Sequence, residues 1–270
     1  HYNIGIEWES SIRPHVSNIL VIDDLVDRPH DCDLIVNPNL YSHVEIYNGL
    51  LPQECRRFIG PNFALLNEQY RRNHDLGHIT RNEIKDIAIF MGGGDHLNIT
   101  QHMIEHFFEY FDYLNISQTK LHIIIGGQHP YKSKIEIICE KFPFIQLYID
   151  TQKMAEIISQ VDLCIGAGGG AALERCCLGV PSIVLTFADN QIRGVDALSN
   201  HGAILFGGDY RNQNWAKQFK KAALKIQNLQ TRQTLSLQAM RLVDGLGCDR
   251  VSAYMYLQAF EPDFDCVVFE

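Results

Sequence analysis

Between Gly166 and Pro181 the chain reads GAGGGAALERCCLGVP, four glycines in five positions followed at once by a helical pattern. The first amides of a helix have no carbonyl partner within it, and the helix dipole puts partial positive charge at that end. Gly169, Gly170, Ala171 and Ala172 are therefore expected to present N–H groups to an anion, and a diphosphate suits such a turn. The stretch lacks the Gly-Lys-Ser/Thr of a P-loop, and it is not a GxGxxG fingerprint after a first strand. Glu174 lies one turn into the helix, where a carboxylate either accepts ribose hydroxyls or simply offsets the dipole.

Two further stretches have the same setting. FMGGGDHLNIT (90–100) passes from a strand into glycines and then toward a helix start near Asn98. Gly92, Gly93 and Gly94 would let a ligand approach the backbone, because no Cβ stands in the way. The plainer reading is a turn that only closes a strand–helix connection. TFADNQ (186–191) opens another helix with Asn190 and Gln191, which either cap it or reach a sugar hydroxyl or amide.

These stretches need a scaffold that gathers strand ends. Short β-rich runs alternate with helical patterns, the signature of a parallel sheet with crossover helices. Strands are expected at 18–23, 32–37, 86–91, 120–126, 145–149, 162–166, 181–186 and 203–206. Helices are expected at about 61–72, 98–114, 131–141, 152–160, 170–179 and 190–200, with a wholly helical pattern over 212–260. The polar stretch NHDLGHITRN (73–82) reads as a linker. The resulting division is a partial Rossmann-like domain with linker at 1–80, a complete Rossmann-like domain at 81–210, and C-terminal helices at 211–270 packing back toward the first. In such a sheet, ligands lie at the carboxyl ends of the strands.

Composition narrows the ligand. The chain has 270 residues, 46% of them hydrophobic, and a formal charge of −9. No basic stripe is present to track a nucleic-acid backbone. Apolar runs such as LHIII and PSIVL are too short to span a bilayer. The eight cysteines, at 32, 55, 139, 164, 176, 177, 248 and 266, form no CxxC pattern. They read as buried small hydrophobes of a reducing cytosol rather than a zinc or disulfide framework. The opening HYNIGIEWES has neither an initiator Met nor the charged and apolar regions of a signal peptide. A cytoplasmic monomer, with neither nucleic-acid nor membrane partners, is expected.

Taken together, the glycine motifs resemble the C-terminal half of GT-B-type sugar-nucleotide enzymes. More specifically, the sequence is similar to the UDP-2,4-diacetamido-2,4,6-trideoxy-β-L-altropyranose hydrolases of pseudaminic acid biosynthesis. The carrying stretches are HYNIGIEWE (1–9), VIDDLVDRPHDCDLIVNPNL (21–40), GPNFALLNEQY (60–70), MGGGDHLN (91–98), GGGAALERCCLGVPSIVL (168–185), DNQIRGVDAL (189–198) and VDGLGCDRV (243–251). The resemblance implies a GT-B-like α/β fold and hydrolysis of a UDP-sugar by water at the anomeric carbon, with inversion and loss of UDP. It implies no metal or organic cofactor. Tyr2 matches the active-site Tyr of the family's Asp-His-Tyr motif, and Asn190 matches its active-site Asn. Gly169, Gly170, Ala171 and Ala172 match the diphosphate-binding turn and Glu174 the nucleotide-contacting acid, and Gly92, Gly93 and Gly94, at their own strand end, are expected to bind the UDP with them.

The family also carries an early strand and a Gly-x-Gly-His-x-x-Arg motif, whose His is the proposed general base. Here residue 1 falls on the His of Asp-His-Tyr, so the sequence is expected to be a partial chain without that base. LGHITR (76–81) imitates the motif around His78 but follows no strand, and reads as coincidence. His30 is read as orienting a charged turn, while His96 is either solvated or in reach of a ligand. The alternatives are a GT-B glycosyltransferase with a UDP-sugar donor and a catalytically silent UDP-sugar-binding fragment.

Overall fold

Strand sequences such as DIAIF, LCIGA and SIVLT are apolar at nearly every position, as strands covered on both faces must be. The structure, a computed structural model, describes residues 4–40 and 44–260. These form two compact units, His1–Asn67 with Asp244–Glu270, and Glu68–Val243.

The first unit begins with helix α1 (Ile6–Ile12). A parallel three-stranded sheet follows, ordered β1 (Leu20–Ile22), β2 (Leu34–Asn37), β3 (Arg56–Ile59). Leu20 pairs with Leu34, and Leu34 with Arg56. Strand β3 has no counterpart in the sequence reading. Its two arginines lie on an edge strand that is only partly covered, so it lacks the apolar run of a central strand. Glu9 is buried, accepting from His30 Nδ1 at 2.7 Å and from the Asp31 amide at 2.8 Å. His30 is therefore held as a buried partner of α1.

The second unit opens with α2 (Glu68–Leu76). The helix expected over 61–72 is interrupted: Gly60 has φ 120°, Pro61–Phe63 make a single 3-10 turn, and Ala64 is extended. The chain then alternates as β4 (Asp86–Phe90), α3 (Ile99–Glu105), α4 (Phe107–Tyr110), β5 (Lys120–Ile125), α5 (Lys132–Glu140), β6 (Ile145–Ile149) and α6 (Met154–Ser159). It continues as β7 (Leu163–Ala167), α7 (Gly170–Cys177), β8 (Ser182–Thr186), α8 (Asp189–Asn200) and β9 (Leu205–Asp209), then α9 (Trp215–Ile226) and α10 (Leu229–Leu242). All strand pairs are parallel, in the order β6-β5-β4-β7-β8-β9. That is the doubly wound order, with its reversal between β4 and β7.

Alternate strand residues divide the two faces. Ile87, Ile89, Ile123, Leu163, Ile165 and Ile183 pack into one core with Met103, Phe107, Phe111 and Phe219. The opposite face carries smaller residues at the centre, Ala88, Cys164 and Gly166, all buried. Helix α7 ends in a Schellman motif: the Gly179 amide donates to Cys176 at 3.0 Å and the Val180 amide to Arg175 at 3.2 Å. The helical stretch read as 211–270 is divided between the units. α9 and α10 belong to the second unit, and α11 (Gly247–Phe260) belongs to the first. There Tyr254 meets Phe58 edge-on, with centroids 5.2 Å apart.

Two buried charges tie the entry of the large sheet. Asp162 accepts from the amides of Lys85 and Asp86 at 2.8 and 2.9 Å and from Arg81 at 3.0 Å. Arg232 is fully buried and donates to four carbonyls, those of Ile226, Gln227, Arg81 and Asn82, at 2.7–3.0 Å. Arg232→Ala strands those carbonyls, so it is expected to lower unfolding free energy by about 3 kcal/mol. Chemical denaturation measures this; a loss under about 1 kcal/mol would mean that the carbonyls find other donors.

Candidate functional site

The sheet order dictates where the glycine stretches meet. β4 and β7 are neighbours, with Phe90 opposite Gly166. The turns that leave them, 91–98 and 168–170, therefore emerge side by side at the carboxyl edge, on either side of the reversal. β8 lies next to β7, which brings the start of α8 and Asn190 to the same edge. Gly92–Gly94, Gly169–Ala172, Glu174 and Asn190 thus share one rim of one unit. Tyr2 lies outside the described residues.

Gly92 and Gly169 have φ of 86° and 85°, a backbone region open to glycine at little cost. Gly93 and Gly170 have no such requirement, and a Cβ built on either meets no atom within 4 Å. Their bare backbone therefore faces open space. At Gly168 the reason is packing: a Cβ would lie 2.6 Å from Val195 of α8. Gln191, also on α8, accepts from the Phe187 amide at 3.0 Å and so ties the helix to the turn before it, while Asn190 remains exposed.

At the head of α7, Gly169 and Gly170 are exposed and Ala171 is half-buried. The Ala172 amide donates to the Gly169 carbonyl at 2.9 Å. Of the four N–H groups expected to face an anion, this one is engaged within the turn, because the helix closes its first hydrogen bond there.

The turn after β4 is braced from below. Asp95 is buried, and its carboxylate accepts the amides of Ile99 at 2.9 Å and Thr100 at 2.7 Å. It performs the capping at α3 that Asn98, with φ 55° and no side-chain cap bond, does not. His129 accepts the Tyr131 amide on Nδ1 at 3.2 Å, and its Nε2 lies 3.6 Å from Asp95. Gly126, at the end of β5, abuts this turn; its Cβ position lies 3.1 Å from the Gly93 carbonyl. The GGQH that follows β5 was visible in the sequence, but its role appears only once β5 is seen beside β4. His96, in the same turn, is exposed. His78 follows α2, and burial pushes its imidazole below the ordinary range.

Glu174 has a partner that no local pattern announced. The hydroxyl of Tyr70, on α2, donates to its carboxylate. Burial raises the Glu174 pKa, and the Tyr70 bond and the nearby Arg175 charge only partly counter this. Burial raises the Tyr70 phenol as well. Among the described residues, no group of three or more His, Cys, Asp or Glu side chains is arranged to hold a metal ion. Nor is any helix long and apolar enough to cross a membrane.

The raised Glu174 pKa fixes a sign. The folded chain holds this proton more tightly than the unfolded chain, so the group's contribution to stability falls as pH rises from the ordinary value of 4.5 through the higher folded one. Glu174→Gln is expected to stabilise the protein at neutral pH and to give no gain below that window. Urea denaturation across a pH series measures this; an equal effect at all pH values would contradict the assignment.

Comparison with known proteins places this geometry in context. Residues 87–244 match the glycosyltransferase family 28 C-terminal domain. The chain is 25% identical over 193 residues to a Campylobacter jejuni UDP-2,4-diacetamido-2,4,6-trideoxy-beta-L-altropyranose hydrolase, covering 71% of this chain and 66% of that protein. It is 23% identical over 203 residues to the Bacillus subtilis spore coat polysaccharide biosynthesis protein SpsG, covering 74% and 58%. Among solved structures, the S. aureus MnaA–UDP complex superposes with a TM-score of 0.60 at 13% identity, over 88% of this chain and 64% of that one. The chain spans less than two thirds of the length of each of these three. The α/β fold is GT-B-like. Because the domain match takes in more than half of its residues, the chain belongs to the glycosyltransferase family 28 C-terminal domain family.

Proposed function

We propose that the chain binds the UDP of a UDP-sugar at its paired glycine turns and acts in hydrolysis of a UDP-linked 2,4-diacetamido-2,4,6-trideoxy sugar. The observation that carries the reading is the bare backbone at Gly93 and Gly170, on both sides of the β4–β7 reversal. The protein's own packing does not require glycine there, and a ligand seated against the backbone would. The activity for which the Campylobacter jejuni relative is named supports the sugar and the reaction.

In this reading the diphosphate rests on the amides of Gly169, Gly170 and Ala171, with the α7 dipole opposing its charge. Gly92–Gly94 close the other side, and Ala172 contributes as part of the turn. Glu174 accepts the ribose hydroxyls while Tyr70 holds its carboxylate in place. Water attacks the anomeric carbon, the bond from that carbon to the diphosphate oxygen breaks with inversion, and the water's proton passes to a general base. The turn stabilises the charge that develops on departing UDP. Asn190 is the proposed catalytic contact to the sugar, and the resemblance alone gives Tyr2 a catalytic role.

A second reading is glycosyl transfer, in which an acceptor hydroxyl replaces water; the domain's family name favours it. Incubating the chain with the UDP-altrose sugar and following UDP by NMR separates these readings. Release of UDP without an acceptor supports hydrolysis. Release only with an acceptor supports transfer, and binding without release marks a silent nucleotide module. Gly170→Val is expected to weaken UDP binding by about tenfold or more, a loss of about 1.4 kcal/mol, without lowering the thermal midpoint. Calorimetric titration checks this, and unchanged affinity would remove the turn from the site.

A further inference from the structure

The second unit contains two arginines with about 1% exposure each, and they are satisfied very differently. Arg232 has four carbonyl acceptors, which engage both of its terminal nitrogens and leave only its Nε without a partner. Arg175, on α7, donates from one nitrogen to the Ala167 carbonyl at 2.5 Å. Its Nε and its other terminal nitrogen are buried with no hydrogen-bond partner. Among the described residues no carboxylate lies within ion-pair distance of it. Glu174, next along the helix, feels its charge but accepts from Tyr70 instead.

The place of this guanidinium is well defined. A Cβ at Gly166 would lie 2.6 Å from the Arg175 terminal nitrogen and 2.7 Å from the Phe90 carbonyl. The group therefore sits beneath the ends of β4 and β7, under the residues from which both glycine turns spring. Gly166, on the face with Ala88 and Cys164, leaves the room it occupies. Burying a charge without a counter-ion is strongly unfavourable, and the unfavourable energy falls when an opposite charge binds nearby. In so dry a place its field is also weakly screened.

We propose that Arg175 is the buried counter-charge of the diphosphate turn, a positioning residue that holds Ala167 at the root of the turn and favours anionic ligands through its field. It touches no ligand atom in this scheme. The inference rests on the reading of the glycine turns as a UDP site and adds to it the source of phosphate selectivity. An acidic chain of net charge −9 thereby gains a buried positive charge beneath the turn.

The test is calorimetric titration of the full chain with UDP, UMP and uridine, for the unaltered protein and for Arg175→Gln and Arg175→Lys. Arg175→Gln removes the charge but can still donate to Ala167. It is expected to weaken UDP by about tenfold or more, UMP by less, and uridine by no more than about twofold. Arg175→Lys is expected to keep the UDP-to-uridine ratio within about threefold of the unaltered protein. Equal losses for all three ligands would reduce Arg175 to a structural role and overturn the proposal. So would a collapse of the ratio in Arg175→Lys, which decides the matter even if Arg175→Gln fails to fold. If the unaltered chain does not bind UDP, the UDP reading itself falls and this inference falls with it. UDP binding without a charge-graded loss overturns this inference alone.

Discussion

The carboxyl edge of the large sheet depends on one contact, the parallel pairing of β4 with β7. From β4 the chain winds outward through β5 and β6, then returns to β4's other side and winds away through β7, β8 and β9. Two turns are thus forced to leave the sheet next to each other with no helix between them. The pairing also sets what lies beneath. On one face it lines up Ile87, Ile89, Leu163 and Ile165 against the helical core. On the other it lines up Ala88, Cys164 and Gly166, whose small side chains leave a space that a long one from α7 can fill.

That space holds a charge, and the surroundings show how the fold tolerates it. Asp162 and Arg232 are buried at the opposite end of β4, where each is surrounded by backbone donors or acceptors. They are structural pins. At the carboxyl end the polar groups are less completely matched: Arg175 keeps unpartnered nitrogens, and Glu174 is raised by burial. The fuller matching at the amino end, where Arg232 leaves only its Nε without a partner, fits a sheet that is anchored at its amino edge.

The strands of the large sheet were legible because both of their faces are buried, which makes their sequences apolar throughout. The run of glycines, Glu174 and Asn190 could be placed on one edge for the same reason, since alternation with helices implies parallel strands. Strand β3 was not legible: RRFI shows an edge strand only when its neighbour is known. The break at Gly60–Ala64 was hidden because PNFALLNEQY has helical composition, while its backbone follows Gly60 and Pro61. Tyr70 and Arg175 illustrate a different limit. Each is an ordinary residue of an amphipathic helix in sequence, and only tertiary packing shows that one holds Glu174 and the other lies beneath Gly166.

The Schellman end of α7 and the contact of Gly168 with Val195 have a dynamic consequence. One fixes the helix behind the turn, and the other wedges the turn's first glycine against α8. A segment so rich in glycine would by composition be floppy, yet here it is clamped at both ends. Its amides are aligned before any ligand arrives, so little conformational entropy is lost on association. Rearrangement of this rim then requires α7 and α8 to shift together as a rigid pair rather than the loop to fold by itself.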